Sequence, residues 1–246
     1  MDLGISGRRA AVAAASEGLG FGTAAALREA GCAVAICGRD AAKVHAAGER
    51  IGATVIVIDV GSYDGGVSFV EQAAAALGGP IDILVPNAGG PPMGPVGSIT
   101  PEAVAAAIDL NVQSTIGMCT AAIGPMRAQG WGRIVAITSI TARQPLLGIA
   151  LSNITRPAVT GYLKTLALVV AADGVTVNSV QPGLHATSRV GGSDPSALPP
   201  PKGVPAGVWG RADDFGQFTA FLCSEQARFI TGVGVPVDGG MMMALQ

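Results

Sequence analysis

Charge is scarce in this chain. Asp, Glu, Lys and Arg make up 13% of its 246 residues, and 15 basic against 17 acidic groups leave a formal net charge of -2. With no basic excess and the basic residues scattered, a nucleic-acid or anionic-membrane surface is not expected; the expected partner is a small molecule. Long apolar runs are missing too, since stretches such as "LALVVAA" fall far short of the roughly 20 residues of a membrane span. The four cysteines, Cys32, Cys37, Cys119 and Cys223, form no CxxC pair and have no histidine beside them. That argues against a zinc site or a disulfide framework, and no metal site is expected. They read as buried, reduced thiols, which fits a cytoplasmic protein. Tyrosine is nearly absent: Tyr63 and Tyr162 are the only two.

What is present is apolar and regularly punctuated. Hydrophobic residues make up 49% of the chain, enough for one large core, so residues 1–246 are expected to form a single domain. The N-terminal "MDLGISGRRAAVAAAS" puts arginines before a short apolar stretch in the manner of a secretion signal. It runs directly into a glycine-rich turn and reads instead as a first strand. Further short runs, "CAVAIC", "TVIVID", "IDILVP", "RIVAIT", "VTVNSV" and "GVPVDG", read as buried strands. Between them lie Ala-rich amphipathic stretches at about 19–30, 40–51, 62–78, 101–128, 150–172 and 211–224. The alternation predicts a doubly wound α/β fold, a Rossmann-like sheet of seven mainly parallel strands with helices on both faces. "VGGSDPSALPPPKGVPAG", residues 190–207, is rich in proline and glycine. It reads as part of a flexible substrate loop at 188–208 beside a cleft.

The stretch "AAASEGLGFG", residues 13–22, follows the first strand and opens the first helix. Its glycines would let backbone N–H groups around Ser16, Gly18, Leu19 and Gly20 approach a pyrophosphate at a helix N-terminus, where the dipole favours negative charge. "CGRD" ends the second strand, putting Arg39 where a dinucleotide's adenosine ribose would lie. "IDV" ends the third, with Asp59 placed to accept from an adenine amine and Val60 beside it. "PNAGG" ends the fourth, with Asn87, Ala88 and Gly89. All lie at carboxyl ends of strands, where open α/β sheets bind ligands. Arg39 could pair with a 2′-phosphate, and no acid sits at the strand end to hold free ribose hydroxyls, which favours NADP(H) over NAD(H). Glu17 in the turn and Asp40 directly after Arg39 count against that preference.

On these residues, and on those that follow them, the chain resembles a short-chain dehydrogenase/reductase over nearly its whole length, of the 3-oxoacyl-ACP reductase-like kind. The family's Thr-Gly-x-x-x-Gly-x-Gly turn matches residues 13–20, with Ala13 and Ala14 in place of the threonine and first glycine. Its Asn-Asn-Ala-Gly matches residues 86–89. "LNVQS" supplies Asn111, matching the family's helix asparagine, and "IVAITSI" supplies Ser139, which the resemblance implies holds the substrate carbonyl. "VNSVQPG" resembles the segment flanking the nicotinamide, with Pro182, Gly183, Leu184 and Thr187 implied as cofactor contacts and Thr187 near the carboxamide. "FLCSEQARFITGVGVPVDGG" resembles the closing helix and strand. A homo-oligomer, a tetramer, is implied as well; the apolar "VGVPVDGGMMMALQ" end and the Ala-rich helices offer surface that a monomer would expose.

Thirteen residues after the serine the family places a tyrosine, and four further a lysine; "SNITRPAVTGYLKTLA" registers without gaps and puts Ser152 and Arg156 there. The family mechanism implies that the tyrosine moves the alcohol proton while the lysine lowers its pKa and binds the nicotinamide ribose. Arg156 could still bind ribose hydroxyls, but a guanidinium stays protonated and cannot relay a proton. Tyr162 does not rescue the pattern, because Lys164 follows at i+2 on another helix face. Pro157 should remove the bond to the Asn153 carbonyl and bend the helix. The expected activity is oxidoreduction between a carbonyl and an alcohol on a small or moderately apolar substrate, with Ser139, Asn111, Ser152 and Arg156 as the catalytic set. Proton delivery would fall to Ser152 with water, or to His185. A non-redox cofactor-binding protein, or a lyase or isomerase on the same fold, is the alternative.

Overall fold

In the computed structural model, which describes residues 1–244, the short apolar runs become seven strands. They are β1 (Arg9–Val12), β2 (Ala33–Gly38), β3 (Thr54–Val57), β4 (Ile83–Val85), β5 (Gly132–Ile137), β6 (Val175–Pro182) and β7 (Gly234–Val237). They form one sheet in the order β3-β2-β1-β4-β5-β6-β7. Every pairing is parallel, where the sequence led us to expect mainly parallel. Parallel neighbours need long crossovers, and the Ala-rich stretches supply them as α1 (Gly18–Glu29), α2 (Ala41–Ile51), α3 (Tyr63–Ala76), α4 (Pro101–Ile108), α5 (Ser114–Ala128), α6 (Ala150–Val170) and α7 (Ala212–Leu222).

Each face of the sheet carries its own apolar layer. Phe69 of α3, Met118 of α5 and Leu163 of α6 pack with Ala11, Leu84 and Val177 on one face. Leu27 of α1, Val44 of α2 and Phe215 of α7 pack with Val12, Ile83 and Val180 on the other. All four cysteines are free and buried, and among the described residues no helix is long and apolar enough to cross a membrane. Leu245 and Gln246, the last residues of the apolar C-terminal stretch, lie outside the described residues.

One segment differs from the sequence expectation. The single helix expected over 101–128 is three pieces, because a π-helical turn, Asp109–Gln113, separates α4 from α5. Pro157 lies inside α6, and the helix continues past it to Val170. The proline-rich segment forms only short 3-10 turns at Ser188–Val190 and Pro195–Ala197, tied back by the Trp209 indole, which donates to the Pro199 carbonyl at 2.8 Å.

Strand order reverses between β1 and β4, which opens a crevice at their carboxyl ends. There the chain leaves β1 through Ala14, whose φ of 47 makes it the one non-glycine residue with positive φ among the described residues. A Cβ in the left-handed region costs roughly 1–2 kcal/mol. Ala14→Gly is therefore expected to raise stability by about 1 kcal/mol, or about 2–4 °C in Tm, read by calorimetry; an unchanged or lower Tm would show that the turn carries no such strain.

Candidate active site

The crevice is framed first by backbone. The Asn87 amide, just past β4, donates to the carbonyls of Ala13 and Ala14, each at 3.2 Å. The same amide, with the Ala14 carbonyl, closes the space beside Gly20, where a Cβ would come within 2.9 Å of Asn87 Nδ2 and 2.6 Å of Ala14 O. Glu17 precedes α1 without a side-chain cap, and the first turn holds no acidic residue. The leading N–H groups of α1, at Gly18, Leu19 and Gly20, therefore lack a side-chain partner at the crevice, a surrounding that suits an anion. Ser16 lies against Gly38 at the end of β2.

At the ends of β2 and β3 the exposed Arg39 and Asp59 side chains face each other, with Arg39 Nη1 3.8 Å from Asp59 Oδ2. Asp59 Oδ1 accepts from the Gly61 amide at 2.9 Å, and Val60 points into the core. Asp40, which had counted against a phosphate near Arg39, caps α2 by accepting from the Lys43 amide at 3.1 Å. Lys43 itself, unnoticed in the sequence, brings its Nζ within 4.0 Å of Glu17 Oε2. Two cations thus flank the end of β2.

From β6 the chain passes Pro182, Gly183 and Leu184. The Gly183 amide donates to Val237 O at 3.0 Å, and Leu184 O accepts from the Gly210 amide at 3.1 Å. The segment then crosses the glycine-rich turn. The Thr187 methyl lies 3.5 Å from where a Cβ on Gly18 would stand, and the Ser188 hydroxyl donates to Glu17 Oε1 at 2.8 Å.

The polar groups of the second half come from β5, the π turn and α6. Ser139, following β5, caps a short turn, its Oγ accepting from the Thr141 amide at 3.1 Å. That bond uses an Oγ lone pair and leaves the hydroxyl proton free to donate. The Thr141 and Ser152 hydroxyls share a buried hydrogen bond of 3.0 Å, so Ser152 does not merely bond its own helix backbone. Asn111 sits in the π turn, 1% exposed. Its Nδ2 donates to Gly89 O at 3.4 Å, and its Oδ1 accepts from the Thr155 hydroxyl at 3.0 Å. Such turns put an extra residue into a helix and often lie at functional positions. Ala88, next to Gly89, is half-buried.

Arg156 is buried on α6. Its Nη1 donates to Ile137 O at 3.3 Å, and its Nε has no partner. Burial, and secondarily repulsion from Arg189, push its pKa down to about 10, so it remains a cation at neutral pH. The register thus brings Ser139 and Ser152 together through Thr141, and Asn111 to α6 through Thr155. Thr141, Thr155, Lys43 and Arg189 were missed; only the Ser152–Thr155 spacing on one helix face hinted at any of them. Tyr162 is turned toward Cys119 and Thr120 on α5, which raise and lower its pKa respectively under a larger upward push from burial. Tyr63 begins α3, packed on Gly117. Neither tyrosine joins the hydrogen bonds that link Ser139, Thr141 and Ser152. Among the described residues no three His, Cys, Asp or Glu side chains converge in a way that could hold a metal.

Comparison with known proteins follows the same outline. Residues 13–242 match the family described as enoyl-(acyl carrier protein) reductase. The chain is 34% identical to acetoacetyl-CoA reductase of Shinella zoogloeoides, over 95% of this chain and 98% of that protein. It is 33% identical to human dehydrogenase/reductase SDR family member 4, over 96% and 88%. Among solved structures, L-sorbose reductase from Gluconobacter frateurii, complexed with NADPH and L-sorbose, superposes with a TM-score of 0.90 at 30% identity over the whole of both chains. A 3-oxoacyl (acyl-carrier-protein) reductase from Agrobacterium tumefaciens with NADP bound gives 0.88 at 29% identity, covering 97% and 96%. This chain belongs to the short-chain dehydrogenase/reductase family.

His185, expected as the alternative proton carrier, is buried, 5% exposed. Its ring meets Phe215 edge-on at 5.3 Å, and its Nδ1 lies 3.4 Å from Gly183 O. Burial lowers its pKa, only partly offset by the Gly183 carbonyl and by Asp214 and Asp238. As pH falls, the unfolded chain takes up this proton first. Stability is then complete above the ordinary imidazole value of 6.5 and declines as pH drops below it toward the folded pKa. His185→Gln is expected to flatten the fall of Tm with pH in that window, measured by scanning calorimetry; an identical slope in parent and variant would contradict the buried neutral ring.

Proposed function

We propose that the chain is an NADP(H)-dependent oxidoreductase that interconverts a carbonyl and an alcohol on a small substrate, with residues 1–246 acting as one dinucleotide-binding domain in the cytoplasm. The observation that carries the reading is Ser139: its Oγ is fixed by the Thr141 amide with the hydroxyl proton left to donate, while Asn111 is locked between Gly89 and Thr155. The surroundings fit a dinucleotide. The α1 N-terminus is uncapped, Gly20 leaves no room for a side chain between it and the Ala14 carbonyl, and Arg39 and Lys43 stand where a 2′-phosphate would need cations. NADPH bound to the similar sorbose reductase supports the choice over NAD(H).

Ser16, Gly18, Leu19 and Gly20 would hold the pyrophosphate side, Arg39, Asp59 and Val60 the adenosine, and Asn87, Ala88, Gly89, Arg156 and the segment from Pro182 to Thr187 the nicotinamide half. When bound, the cofactor supplies hydride to the carbonyl carbon. Ser139 donates a hydrogen bond to the carbonyl oxygen, keeping its proton, and so stabilises charge developing there. In this reading Ser152 and Arg156 take the family's tyrosine and lysine positions. Ser152, coupled to Thr141, passes the proton with water, and Arg156 holds ribose hydroxyls without entering the relay. The 188–208 segment acts as the substrate loop. The chain assembles as a homotetramer, supported by exposed apolar side chains such as Leu168 and Phe229; light scattering returning a monomer mass would reject that assembly.

The reaction is tested by following nicotinamide absorbance with a panel of activated ketones. Ser139→Ala is expected to lower kcat/KM by about 10²–10³ while leaving NADPH affinity nearly unchanged. If the parent binds cofactor but turns over no ketone, while the double variant Ser152→Tyr with Arg156→Lys gains turnover, the chain is a cofactor-binding protein instead.

A further inference from the structure

Two guanidinium groups, those of Arg156 and Arg189, belong to the segments that frame the cleft. Arg156 is 8% exposed, with one hydrogen bond to a main-chain carbonyl and an Nε that has no partner. Arg189, an exposed residue, lies in the short turn after β6. Its Nη2 donates to Pro91 O at 3.0 Å, and its guanidinium occupies the space that any side chain on Gly90 would need. Asn111 lies between the two segments: it donates to the carbonyl of Gly89, next to Gly90, and accepts from Thr155, the chain neighbour of Arg156. Among the described residues neither arginine forms an ion pair. The other deeply buried arginine, Arg133, does, with its Nη2 3.6 Å from Glu225 Oε2. A buried cation lacking a counter-ion is costly, and a chain that retains one is arranged for a charge that arrives from outside.

We infer that Arg189, with the uncompensated charge of Arg156 behind it, forms an oxyanion site that takes a carboxylate or phosphate group carried by the substrate beside its reacting carbonyl, while Arg156 keeps the ribose hydroxyls. The inference rests on the oxidoreductase reading only in assigning the anion to the substrate. The cofactor's pyrophosphate offers the same chemistry, and the Thr187–Arg189 segment also runs over the glycine-rich turn. The experiment therefore has to separate the two sources. Gly90 provides a way to displace the Arg189 guanidinium without removing it, because an added Cβ collides with it.

Thermal melting of the full chain, saturated with NADP⁺ so that no turnover occurs, is titrated with acetoacetate and levulinate against their methyl esters. Dihydroxyacetone phosphate against dihydroxyacetone forms the phosphate arm. NADPH affinity is measured in parallel by fluorescence. At least one anionic probe is expected to bind on the order of 10- to 100-fold more tightly than its neutral counterpart, the range of a charge-assisted hydrogen bond. Arg189→Gln and Gly90→Ala should each bring that ratio close to one with little change in NADPH affinity; if Gly90→Ala does not fold, Arg189→Gln alone decides. Equal binding of every anionic and neutral pair by the parent would overturn the proposal. So would an Arg189→Gln variant that binds NADPH at least about tenfold more weakly yet keeps the anion preference, since that assigns the arginine to the pyrophosphate. Anion-selective binding with no NADPH oxidation on any probe would support the oxyanion site while removing the redox reading.

Discussion

Two hydrogen bonds from one side-chain amide hold the crevice open. Asn87 reaches from the end of β4 to the carbonyls of Ala13 and Ala14, joining the two strands between which the sheet order reverses. Without that tie, two backbone acceptors at the end of β1 would face the crevice unmatched, and buried main-chain groups rarely go unpaired. With it, the chain turns through a left-handed Ala14 and enters α1 with its leading N–H groups uncapped. The nucleotide half depends on this tie. Gly20 is required because Asn87 and the Ala14 carbonyl leave no space for a side chain, and the Thr187 methyl lies against the bare Gly18.

The second half is held by hydroxyls rather than by ionised groups. Thr141 links Ser139 to Ser152, and Thr155 links the π turn at Asn111 to α6. Within this network the charged members are Arg156 and, at its border, Arg189. A serine hydroxyl is a much weaker acid than a phenol, so a proton carried through Ser152 needs a neighbour that donates as it leaves; Thr141 is placed to do so. Family membership and the NADPH-bound neighbour support oxidoreduction in this cleft.

Much of this was legible in the sequence. Alternating apolar runs and Ala-rich stretches give the strands and helices to within a few residues, because period and length are local properties. The nucleotide segments were visible because parallel sheets collect them at one end of the strands. What stayed hidden depends on contacts between distant segments. "AAIDLNVQS" has no breaker to announce the π turn that moves Asn111 toward Gly89. His185 sits in a loop of small residues, yet its ring is buried because Phe215, thirty residues on, packs against it. Arg189, in the proline- and glycine-rich stretch, is exposed, but nothing local announces that its guanidinium rests on the Pro91 carbonyl and over Gly90.

The central claim is that the crevice at the ends of β1 and β4 is built for a phosphorylated nicotinamide dinucleotide. Isothermal titration of the parent chain with NADPH and with NADH tests it most directly. The account predicts saturable NADPH binding, with NADH weaker by about tenfold or more, as expected when a phosphate loses its charge-assisted contacts with Arg39 and Lys43. Absence of binding by either dinucleotide at millimolar concentration, or an equal affinity for both, would contradict it.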